Sequence, residues 1–142
     1  MKIVDANVLI YAVSRQSPRH TLANAWLTQV MRESETIGFS WLVLIAFLRI
    51  TTHRGLSPQP LPIQQATQIV QTWIEQPCAT LLSPTERHLN LINELLEPIG
   101  IAGDLTNDAH LAALAIEHGA TVYSFDNDFS RFPRVRWAVP SI

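Results

Sequence analysis

The sequence predicts an α/β fold: a short, mostly parallel sheet with helices on its faces. Three observations predict it. Short apolar runs of strand character alternate with longer segments of helical spacing along the chain. Aspartates stand where several of these elements begin or end, at the edge where such sheets bind ligands. The 142 residues, 47% apolar and 15% charged, suffice for one core, so residues 1–142 are expected to form a single domain.

Each element has its own justification. Lys2 to Val4 reads as a buried strand ending at Asp5, and Asn7 to Ala12 is apolar enough to open a helix. Ser17-Pro18 is a start signal, and Leu22, Ala23, Trp26, Leu27, Val30 and Met31 recur at helical spacing, predicting a helix from His20 to Arg32. Ile37 to Phe39 is a second strand. Ser40 then caps a helix, "WLVLIAFLRITTH", that looks apolar nearly all round and therefore buried. The proline-rich "GLSPQPLP" is a loop. Ile63 to Glu75 is an amphipathic helix ended by Pro77, and Cys78 to Leu82 a strand. Ser83-Pro84 is expected to open the next helix, with Glu86 in its first turn, stopping before Pro98. Asp104 to His118 is a further helix, with Asp104 at a cap position and Gly119 just past its end. Thr121 to Ser124 is the strand that follows.

Composition excludes several classes. Cys78 is the only cysteine, so no disulfide framework exists and a reducing compartment is expected. Asp5 interrupts the N-terminal apolar run, so a signal peptide is not expected there. The longest apolar run, Trp41 to Leu48, is too short to span a bilayer. A cytoplasmic protein with no membrane association is the expectation. A net charge of −2 argues against a generic nucleic-acid coat protein, although Arg131, Arg134 and Arg136 cluster late.

The acids carry the chemistry. Asp5 ends the first strand, Asp126 and Asp128 follow the strand at Thr121, and Asp108 lies early in the helix before it. Carboxylates gathered at one edge repel one another unless a cation cancels the charge. Hard divalent cations take oxygen ligands, and Mg²⁺ combines one or two carboxylates with waters and substrate phosphates. Each acid also has an ordinary structural explanation. Asp5 can cap the helix after it, Asp104 and Asp108 suit a helix's first turn, and "DND" is common turn chemistry.

The stretches "MKIVDANVLIYA", "FLRITTHRG", "NDAHLAALAIEHGATVYSFDNDFSRFP" and "VRWAVP" resemble PIN-domain proteins of the VapC type, the toxin halves of toxin–antitoxin pairs. The resemblance implies a three-layer α/β/α sandwich and an endoribonuclease that depends on Mg²⁺ or Mn²⁺. It also implies a homodimer, an RNA substrate and a cognate VapB-like antitoxin. Position by position, it makes Asp5, Asp108, Asp126 and Asp128 metal-binding and catalytic. Asn7 and Ser124 match polar positions beside them. One position departs: the family's usual helix glutamate is Ala46 here, which cannot ligate a metal. Asp104, one turn before Asp108, or water can fill that gap, and Arg49 is a candidate partner for an acid of the site.

Other residues are weighed against this site. Arg49, His53, Arg54, Arg131 and Arg134 are candidate phosphate contacts or solvated charges. No HExxH or finger spacing marks a zinc site; His110 reads as a helix-surface residue and His118 as a helix C-terminal cap. The four tryptophans suit core or dimer packing, and Cys78 buried packing. A second function reading is a catalytically weak RNA- or antitoxin-binding module, disabled by Ala46. An aspartyl phosphotransferase is set aside, because "DAN" lacks a second acid and Lys2 is the only lysine.

Overall fold

Strand β1 (Lys2–Val4) is the hub of the computed structural model, which describes residues 1–142. Strands β2 (Ile37–Phe39) and β3 (Ala79–Leu81) lie on one side of it, and β4 (Thr121–Tyr123) and β5 (Trp137–Ala138) on the other. The order is β3-β2-β1-β4-β5 and every pairing is parallel. The chain therefore builds outward from β1, returns, and continues on β1's other side. That reversal makes the β1/β4 boundary the topological switch point, where open α/β sheets bind ligands.

Six helices cover the sheet: α1 (Ala6–Val13), α2 (His20–Met31), α3 (Trp41–Thr51), α4 (Ile63–Ile74), α5 (His88–Leu96) and α6 (Leu105–His118). α1 packs on α2 and α3, α3 packs on α4, and α5 packs on α6. Right-handed crossovers put the first four on one face and the last two on the other, giving the expected three layers. Ile3, Val4, Ile37, Phe39 and Val122 of the sheet are fully buried, as are Leu9, Leu44, Phe47 and Leu114 from the helices. Each such side chain contributes about 1.5–3 kcal/mol of burial free energy. α6 stops where the sequence says it should. Gly119 turns left-handed at φ 64°, and the Ala120 N–H reaches back to the Ala115 carbonyl at 2.8 Å. No helix is long and apolar enough to cross a membrane.

Three expectations need correction, and one strand was not anticipated. α3 is not buried all round: Val43, Leu44 and Phe47 face the core, whereas Trp41, Leu42 and Ile45 are exposed. It also ends at Thr51, where the Thr51 and Thr52 hydroxyls donate back to the Phe47 and Leu48 carbonyls. α5 begins at His88, so Glu86 lies outside it. The Thr85 hydroxyl bonds Glu117 and accepts from the Arg87 N–H, which holds that segment as a turn. β5 belongs to the sheet and is too short to be visible in sequence.

Candidate metal centre

Strand pairing places the first acid. Val4 pairs with Tyr123, and the Asp5 N–H donates to the Tyr123 carbonyl at 3.0 Å. Asp5 therefore leaves the sheet beside the exit of β4. Its Oδ1 accepts the Ala6 N–H at 2.7 Å, so it does cap α1. Its Oδ2 accepts from the Ser124 hydroxyl at 2.7 Å and the Asn7 amide at 3.3 Å.

Ser124, fully buried at the end of β4, joins the two exits. Besides donating to Asp5, its Oγ accepts from the Asn7 amide and from the Asp126 N–H, both at 3.0 Å. The Asn7 Oδ1 accepts the Phe125 N–H at 3.0 Å. Asp126 then opens a 3₁₀ turn (Asn127–Arg131) by accepting the Asp128 N–H at 2.9 Å. The turn chemistry anticipated for "DND" is thus present, and it sets the two acids side by side.

The structure brings three of the four expected acids into one cluster. Carboxylate oxygens of Asp108, Asp126 and Asp128 all lie within 4.8 Å of one another. Asp5 is outside that set, its oxygens engaged by α1, Ser124 and Asn7. Electrostatics tie all four together. Burial and the Asp126 charge push the Asp5 carboxyl up, against the pull of Ser124 and the Ala6 N–H. Burial, then Asp5, Asp126, Asp128 and Asp104, push Asp108 up to about 7. Three hard oxygen donors with uncompensated repulsion suit a divalent cation.

The remaining expected residues divide. Asp104 occupies the cap position of α6 but makes no capping bond, because its backbone is already helical. Ala46 lines a cleft with Asp5 and Asp108. Arg49 lines the same cleft, yet pairs with no acid, contrary to the expectation for it. Arg134 is engaged by Glu94 and is not free for a phosphate. His110 is half-buried and not a free surface residue: its Nδ1 sits 2.8 Å from His88 Nε2, and His88 Nδ1 lies 3.1 Å from the buried Glu117 carboxylate. His118 Nε2 meets the Ser83 carbonyl at 3.0 Å instead of capping its own helix. Cys78 packs against the core but is only half-buried, its thiol donating to the Met31 carbonyl. Asn107 in the cleft carried no sequence signal. Nor did Arg19, whose guanidinium lies 5.3 Å from the Phe125 ring centre, next to Asp126.

A parallel sheet with carboxylates at its switch point makes this an acid-centred α/β protein, and comparison places the chain in a family. The PIN domain model matches residues 2–135. The chain belongs to the PIN-domain family, among its VapC members. It is 46% identical over 140 residues to Ribonuclease VapC37 of Mycobacterium tuberculosis, covering 99% of this chain and 97% of that one. Ribonuclease VapC33 of the same species is 39% identical over 140 residues, covering 99% and 98%. Among solved structures, VapBC2 from Rickettsia felis bound to a promoter DNA fragment aligns at TM-score 0.70 and 19% identity, over 99% and 98% of the two chains. Mycobacterium tuberculosis VapC20, a Sarcin-Ricin loop cleaving toxin, aligns at TM-score 0.65 and 18% identity, over 96% and 99%.

Proposed function

We propose that residues 1–142 act as one PIN domain, a Mg²⁺- or Mn²⁺-dependent endoribonuclease that is the toxin of a VapBC-type pair. The observation that carries this reading is the Asp108, Asp126 and Asp128 cluster at the switch point. The relatives named ribonucleases, full-length and up to 46% identical among those compared, support RNA as the substrate. The VapBC structures among the fold neighbours support a VapB-like antitoxin as partner.

Asp108, Asp126 and Asp128 would hold the cation by oxygen. Asp5, fixed by Ser124 and Asn7, adds its charge to the site and completes the acidic set. A bound divalent cation supplies an activated water and neutralises charge on the scissile phosphate. Asp104 contributes charge without capping, and water takes the place left by Ala46. The protein acts in the cytoplasm as a homodimer, which sedimentation would check.

The test is cleavage of a mixed cellular RNA pool by antitoxin-free protein with Mg²⁺, with Mn²⁺ and with EDTA, beside Asp108→Asn. Metal-dependent cutting that disappears in the variant is the expected result. Folded protein that cuts with neither metal overturns the nuclease reading and favours the binding module, with Ala46 as its cause.

A further inference from the structure

A cleft of about 290 Å³ opens beside the carboxylates, between α3 and α6. Asp5 and Asp108 form its acidic end, and Leu42, Ile45 and Ala46 supply an apolar wall. Ligand sites run from roughly 300 to 1,000 Å³, so this one has room for a single nucleoside, not for a folded segment. Its wall is open to solvent: Ile45 is 57% exposed and Leu42 37%. Two polar side chains complete it. Asn107 carries an amide, donor and acceptor together, which can address a base edge. Arg49 carries a guanidinium with no carboxylate partner, suited to a phosphate. Ala46 contributes only a methyl to that wall, so a larger side chain there would take up part of the cleft.

That combination matches one occupant. Single-stranded RNA is recognised through bases splayed out of the stack, bedded on apolar surface and hydrogen-bonded at their edges. An apolar side chain of a partner protein would fill the wall but leave Arg49 and Asn107 unmatched. We propose that this cleft seats the base and ribose of the nucleotide adjoining the scissile phosphate, an inference that rests on the nuclease reading above. Leu42, Ile45 and Ala46 bed the base, Asn107 reads its edge, and Arg49 holds the adjoining phosphate. Ala46 thereby becomes a determinant of which base stands beside the cut.

The experiment is an NMR titration of the full chain in Mg²⁺ with each ribonucleoside 5′-monophosphate, and with ribose 5-phosphate as a baseless control. The nucleotides are expected to shift the Asn107 side-chain amide and the Ala46 methyl, and ribose 5-phosphate is not. Ala46→Leu, at a half-exposed position, should weaken nucleotide binding about tenfold, the scale of one lost base contact. Arg49→Gln should weaken nucleotide and ribose 5-phosphate alike. Asn107→Ala, at an exposed position, is the second variant should Ala46→Leu not fold, and it should act on nucleotides alone. Equal binding of ribose 5-phosphate, no shift at these positions, or an Ala46→Leu protein that binds normally would each overturn the proposal. So would a changed oligomeric state in Ala46→Leu with nucleotide binding untouched, which gives the cleft to a second copy. Nucleotide binding without RNA cutting would sink the nuclease reading and leave the cleft's ligand standing. Cutting without nucleotide binding would do the reverse.

Discussion

The Ser124 hydroxyl holds three polar groups at once, donating to Asp5 and accepting from the Asn7 amide and the Asp126 N–H. Ser124→Ala leaves all three without that partner in a fully buried position. It should cost about 1–3 kcal/mol in a urea titration, the usual penalty for orphaned buried groups. RNA cutting should fall further than stability does, because Asp5 and Asp126 lose their aim; equal losses would reduce Ser124 to a packing residue. Asp108 gives a second test at this scale. Its carboxyl titrates near 7 when folded and at 3.8 in the reference chain, so the folded state keeps a proton that the unfolded state has released. Without metal, stability should therefore fall as pH rises from about 4 to about 7. Asp108→Asn removes the titrating group and should flatten that decline in melts taken across the window. A variant as pH-sensitive as the parent would mean that other groups dominate.

α3 carries one face for the core and another for solvent, and Phe47 anchors the first, fully buried with its ring edge-on to Trp73 of α4 at 4.8 Å. Phe47→Ala should cost about 3–5 kcal/mol by denaturant titration, as large-to-small core changes do. A loss under about 1 kcal/mol would show that α3 and α4 can collapse onto the space. Helices were legible wherever a 3.6-residue pattern ran for three turns, as in α2, α4 and α6. What sequence could not reveal were tertiary decisions. β5 has two residues and so no period to read. The Ser83-Pro84 signal was overridden by the bond from Thr85 to Glu117, 32 residues away. The outward face of α3 is invisible because hydrophobicity does not say which side another element covers. The site divides in the same way. Acids at strand and helix ends could be picked out by position. The engagement of Asp5 by Ser124, 119 residues on, and the Asn107 side of the cleft exist only once the chain has folded.

At the scale of the molecule, the parallel order β3-β2-β1-β4-β5 gathers acids from β1, α6 and the segment after β4, which are far apart in sequence. No unfolded chain holds them together, so a cation that binds the cluster binds the folded state and stabilises it by mass action. At a hundred times its dissociation constant, that amounts to about 2.7 kcal/mol. Binding must also displace the proton that Asp108 retains up to about 7. The rise in Tm caused by a fixed Mn²⁺ concentration should therefore be larger at about pH 8 than at about pH 5.5, and EDTA should reverse it. Asp108→Asn should lose most of the rise at both pH values, because a neutral amide is a poorer ligand and holds no proton to displace. Differential scanning fluorimetry of both proteins, with and without Mn²⁺, measures this directly. A shift of equal size at both pH values in the parent protein would mean that the cation is held without Asp108. The acid cluster would then have to be assigned a binding mode that leaves α6 out.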